Sequence, residues 1–92
     1  MTFEWDPVKE HLNREKHGVK FKEAATVFDD DFQITIADPD HSIGESRYVT
    51  IGVTAQRRLV VVCHTEDDDE RIRIISARTT TATERRIYEQ GN

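Results

Sequence analysis

Ninety-two residues are enough for one core and too few for a second, so residues 1–92 are expected to form a single domain of modest stability. Hydrophobic residues at 36% and charged residues at 34% exclude a disordered chain, and the longest apolar run, residues 59–63, is too short to cross a membrane. A net charge of −5 excludes a non-specific coat for nucleic acid, while a lone cysteine and an N-terminus without a basic, then apolar, leader point to the cytoplasm.

In chain order, Phe3-Glu4-Trp5 alternates like a short edge strand. Asp6-Pro7 is a helix start, with Asp as N-cap and Pro at the first helical position. That helix is expected to run to His17 and stop at Gly18, with Val8 and Leu12 as its apolar stripe and Lys16 and His17 in its last turn. Phe21, Ala24, Ala25 and Phe28 share one face of a second helix. Beyond residue 31 the apolar period falls to two: Phe32, Ile34 and Ile36, then, after a polar Asp38–Glu45 connection, Val49, Ile51 and Val53. Ala55-Gln56-Arg57 reads as a turn. The continuous run from Leu59 to Cys63 reads as a central strand covered on both faces, with Cys63 as packing. An acidic turn, Glu66 to Glu70, leads to a strand marked by Ile72, Ile74 and Ile75. Thr81 and Glu84 have the spacing of a capping box for a closing helix. The order β-α-α-β-β-β-β-α predicts an α+β domain whose mainly antiparallel sheet is packed by two N-terminal helices and a C-terminal one.

The charge is unevenly spread. Residues 1–70 hold 8 Lys+Arg against 16 Asp+Glu, whereas residues 71–92 hold 5 Arg against 2 Glu. Arg71 and Arg73 alternate with Ile72 and Ile74 and so share a face; Arg78 follows at the strand end, and Arg85 and Tyr88 lie on one side of the closing helix. Such arginines either cover sheet surface with their stems or converge on an anion, to which a guanidinium offers a planar fork of donors. No metal is expected: the four histidines and Cys63 lack ligand spacing, and Asp67-Asp68-Asp69 lacks that of a calcium loop.

Several stretches together resemble the BrnT toxins of type II toxin–antitoxin pairs. They are Phe3-Glu4-Trp5-Asp6-Pro7, Lys16-His17-Gly18-Val19 with Phe21 and Glu23-Ala24, Val27-Phe28-Asp29-Asp30, the Asp38–Glu45 loop and Ile51-Gly52. The last is Arg71-Ile72-Arg73-Ile74-Ile75-Ser76-Ala77-Arg78 followed by Glu84-Arg85-Arg86 and Tyr88. The resemblance spans nearly the whole chain. It implies a RelE-like fold, a cytoplasmic endoribonuclease that inhibits translation, and neutralisation by a BrnA-type antitoxin carrying its own DNA-binding domain. DNA would then be reached only through the antitoxin, in a complex that can be dimeric. One departure is Cys63-His64, where such proteins often carry an aromatic before Thr-Glu; His64 either replaces that ring at the site or packs.

Metal-free RNA cleavage needs an in-line 2′-hydroxyl, cations for the transition state, and an acid and a base. Arg78 and Arg85 are the expected phosphate ligands, with Arg71, Arg73, Lys16 and His64 helping to hold substrate. Glu66 or His17 is the expected base, unless His17 only completes its helix end, and Tyr88 is a positioning group or an acid. The competing expectation is a non-catalytic module whose arginines grip an acidic antitoxin segment and which acts only in a repressor complex.

Overall fold

In the computed structural model, which describes residues 1–38 and 46–91, one five-stranded mixed sheet carries helices on both faces. The chain runs β1 (Thr2–Glu4), α1 (Pro7–His17), α2 (Phe21–Ala24) passing into a 3₁₀ turn (Ala25–Asp29), β2 (Ile34–Ala37), β3 (Arg47–Val53), β4 (Leu59–Glu66), β5 (Arg71–Thr79) and α3 (Ala82–Gln90). Spatially the strands lie β1-β5-β4-β3-β2. The pairings β2–β3, β3–β4 and β4–β5 are antiparallel, and β1 joins the edge of β5 in parallel. Most of the Asp38–Glu45 connection, with His41, lies outside the described residues.

Local chemistry accounts for the helix ends. Asp6 Oδ1 accepts the backbone N–H of Val8 at 2.8 Å, and Pro7, which has no N–H to satisfy, follows it. Gly18 adopts φ +70° and donates its N–H to the Arg14 carbonyl, a left-handed cap that residues with a Cβ adopt reluctantly. The second helix is shorter than its periodicity suggests. After one α turn it tightens to 3₁₀, and the Thr26 hydroxyl donates to the Glu23 carbonyl at 2.6 Å.

Two apolar clusters lie on opposite faces of β4. Val60 and Val62, with Ile72, Ile74 and Ala77 of β5, pack against Val19, Phe21, Ala24 and Val27. Leu59 and Val61, with Ile51, meet Val49, Val53 and Tyr88 on the α3 side. β4 is therefore central and covered on both faces, as its unbroken apolar run suggests. Each fully buried Val or Phe stabilises by roughly 1.5–3 kcal/mol, so the larger cluster, built from Val19, α2 and the 3₁₀ turn against β4 and β5, carries most of the fold. No residue of α3 is fully buried.

Two amphipathic expectations do not hold. Val8 and Leu12 are 66% and 61% exposed, and the residue α1 buries is Asn13. Its amide donates to the Val19 and Ala77 carbonyls at 3.1 and 2.8 Å and accepts the Ala77 N–H at 3.1 Å, so the helix docks through hydrogen bonds. Phe32, in the turn before β2, and Ile36, on this edge strand, are also mostly exposed. β5 carries a bulge: Cys63 pairs with Ser76 but His64 pairs with Ile74, leaving Ile75 as an extra residue. Among the described residues no helix is long and apolar enough to cross a membrane.

Candidate active site

β5 presents arginines at both of its ends. Near its start, Arg71 Nε meets Asp67 Oδ2 at 3.0 Å and its Nη2 meets Asp69 at 3.6 Å, while Arg73 lies 3.9 Å from Glu4 of β1. Glu66 is at this same end, opposite Ile72. At the far end Arg78 grips Glu84 with two parallel bonds of 2.7 Å. The seven residue steps from Arg71 to Arg78 span roughly 20 Å of strand, so the structure does not bring these three guanidinium groups together. Lys16 and His17 close α1 and border a separate groove with Ile75 and Ser76.

Glu84 does two things at once. It receives Arg78, and its Oε1 accepts the Thr81 N–H at 2.8 Å while Thr81 Oγ1 accepts the Glu84 N–H, which completes the capping box. The Arg78 bonds, opposed by burial and helped by the Thr81 amide, hold the Glu84 carboxyl down to about 2. The pair is an ion bridge throughout the physiological range.

His64 is fully buried. Its ring stacks on Tyr48 and meets Phe28 edge-on, and its Nε2 lies 2.7 Å from Thr50 Oγ1. Burial pushes its pKa down to about 4 against a small opposing backbone bond at Thr65, so the ring is neutral at pH 7. Of the two expectations for His64, the geometry is that of a packing aromatic with a polar edge, and no face of it is open to a ligand.

Arg85 and Tyr88 do meet. Both line a cleft of about 400 Å³ between α3, the end of β5 and the β3–β4 turn, floored by Val53 and Leu59. Thr80 and Glu89 add polar groups to its rim. Tyr88 donates its phenol to Asp30 Oδ2 at 2.6 Å. Asp30 also takes the N–H of Val53, beyond the last residue of β3 that β2 pairs, and that of Phe32. Burial raises Asp30, but these three donors outweigh it and the carboxyl is lowered. Burial, then the bond to Asp30, pushes Tyr88 up to about 12. A phenol so held orients neighbours well and is a poor proton donor near neutrality.

Two further arginines, Arg57 in the turn the sequence predicts and Arg58 just after it, complete the cleft. Arg58 is clamped by Glu23, Nε to Oε2 at 2.8 Å and Nη2 to Oε1 at 2.5 Å, and it also donates to the Gly18 carbonyl. Arg57 is exposed at φ +65°. It sits in the turn closed by Arg57 N–H to Thr54 O and Thr54 N–H to Arg58 O, both 2.8 Å. A left-handed arginine costs about 1–2 kcal/mol, and such strain often marks a working position. The only signal for it in the sequence was the Arg57-Arg58 pair itself, without the Asn-Gly or Asp-Gly step that announces a positive φ.

The comparisons with known proteins agree with this architecture. The structure is similar to the 1.1 Å crystal structure of the ribonuclease toxin BrnT of Brucella abortus, with a TM-score of 0.64 and 22% identity over 88% of this chain and 97% of that one. That likeness defines the class: an α+β domain with a five-stranded mixed sheet and three helices. No curated protein matches the chain. The family described as the ribonuclease toxin, BrnT, of type II toxin–antitoxin systems matches residues 5–84, and the chain belongs to that family. The resemblance carried by the sequence motifs is thus borne out.

Proposed function

We propose that this chain is an endoribonuclease toxin that cleaves RNA through its own side chains, without a metal ion, and thereby inhibits translation in the cytoplasm. A BrnA-type antitoxin neutralises it, in a complex that brings DNA only through the antitoxin and that can be dimeric. The fold is RelE-like in this reading, with residues 1–92 as one toxin domain. The observation that carries it is the cleft in which Arg85 and Tyr88, both singled out in the sequence, face two further arginines, in a chain of a ribonuclease-toxin family.

Arg85 is the direct phosphate ligand, and Tyr88 orients the substrate from its bond to Asp30. Arg78 joins once a phosphate exchanges with Glu84. Glu66 and His17 remain the proton-transfer candidates, although both lie outside the cleft, and Glu89 joins them as a carboxylate on its rim. Arg71, Arg73 and Lys16 then hold more distant parts of the RNA. A binding module gripping an acidic antitoxin segment is the second reading, favoured by the exposed apolar side chains Leu12, Phe32 and Ile36.

Incubating the full chain with RNA and a chelator separates the two. Cleavage that persists in chelator and falls at least about a hundredfold in Arg85→Ala, the scale of losing a preorganised transition-state cation or donor, supports the enzyme. A wild-type chain that binds antitoxin but leaves RNA uncut supports the module.

A further inference from the structure

Among the described residues, Arg47 of β3 aside, the arginines divide into two groups. Arg14, Arg58, Arg71, Arg73 and Arg78 each hold a carboxylate of the chain. Arg57, Arg85 and Arg86 form no ion pair there. Two of these three, Arg57 on the β3–β4 turn and Arg85 on α3, line the same cleft from opposite elements. The turn places Arg57 in a conformation that glycine adopts freely and arginine does not. Neighbouring Arg58, held by Glu23 and the Gly18 carbonyl, fixes the base of that turn.

We propose that Arg57 and Arg85 form a phosphodiester subsite, a pair of guanidinium forks that grips an RNA backbone phosphate across the cleft. This rests on the ribonuclease reading for the identity of the ligand, and on the cleft for its place. Two planar forks fit the non-bridging oxygens of a phosphate, and a phenol and a threonine hydroxyl stand beside them. Elsewhere the chain is acidic, with a net charge of −5, and RNA is steered to this end of the sheet.

The test is binding of a short 2′-O-methyl RNA, which cannot be cut by attack of its own 2′-oxygen, read by fluorescence anisotropy on the full chain at several salt concentrations. Arg57→Gly keeps the turn, since glycine adopts the required φ, and its Tm should equal or exceed that of the wild type. Its affinity should fall about tenfold, and the slope of log affinity against log salt should drop by about 0.7. Arg57→Lys keeps the charge without the fork and should lie between the two. Arg86→Gln, an equal charge loss away from the cleft, should change affinity by less than about twofold.

Four outcomes would overturn the subsite. They are no binding by the wild type, equal losses for Arg57→Gly and Arg86→Gln, an Arg57→Gly loss that is as large for a polyglutamate peptide, or displacement of the RNA by micromolar inorganic phosphate at constant ionic strength. If the wild type binds in this Arg57-dependent way but never cuts unmodified RNA, the subsite stands and the nuclease reading falls.

Discussion

Arg78 faces Glu84 through two short bonds, so a phosphate that reaches it must exchange with a carboxylate that also caps a helix. Alternation in the sequence placed Arg71, Arg73 and Arg78 correctly as strand residues. Which carboxylates they hold was not legible, because Glu4 and Asp67 come close only once β1 and the acidic turn have folded beside β5. Arg57 was missed for a related reason: a left-handed arginine leaves no compositional trace. His64 shows a residue-scale effect with a defined sign. Its pKa falls from 6.5 unfolded to about 4 folded, so between those values the unfolded chain binds more protons. The stability it contributes is therefore complete above pH 6.5 and is lost as pH falls through about 4, a change on the order of 3 kcal/mol. Glu66, 3.6 Å from Nδ1 but 42% exposed, is too well solvated to offset this. In His64→Phe the loss of urea stability between pH 7 and pH 4 should shrink by about that amount, Thr50 keeping its 2.7 Å contact with Thr35. An unchanged pH profile would remove His64 from the account.

At the scale of elements, polar links do what apolar stripes were expected to do. The periodicity of α1 predicts docking through Val8 and Leu12, whereas the helix docks through Asn13. Helical periodicity reports which side chains share a face; it does not say which face the rest of the chain covers. Asn13→Ala should cost about 2–4 kcal/mol, because it leaves the Ala77 N–H and two carbonyls buried without partners. Urea denaturation measures this, and a loss below about 1 kcal/mol would mean that water replaces the amide. α3 follows the same rule. With no fully buried residue, it is held by its capping box, the Arg78–Glu84 bridge and the bond from Tyr88 to Asp30. The capping box was legible because it is local in sequence; the Asp30 anchor, 58 residues from Tyr88, was not.

Across the whole molecule, element order followed from the change of period near residue 31, whereas strand order did not. Nothing local says that β1 adds beside β5 in parallel, and that addition is what makes the sheet mixed. The stability is unevenly distributed, concentrated beneath α2 and the 3₁₀ turn and light beneath α3, which forms one wall of the cleft. A partner that covers the lighter side stabilises by mass action. A BrnA-type antitoxin at a hundred times its Kd should add about 2.7 kcal/mol, which for a domain of this size raises Tm by roughly 10–20 °C. Differential scanning fluorimetry with and without the antitoxin reads this directly, and an unmoved Tm would count against that partner.

The extra residue in β5 has a consequence for how this strand can vary. Strict alternation from Ile74 would aim Arg78 into the apolar layer beneath α1; with Ile75 looped out, Ala77 points there and Arg78 emerges on the α3 side. Removing Ile75 preserves that parity and merely straightens the strand, whereas a single insertion between Ser76 and Arg78, unless a second loop-out absorbs it, inverts it and drives a guanidinium into the core. Length changes in β5 are thus tolerated in one direction only, and the strand's reading frame, more than any one side chain on it, decides which cations the chain can show to an anion.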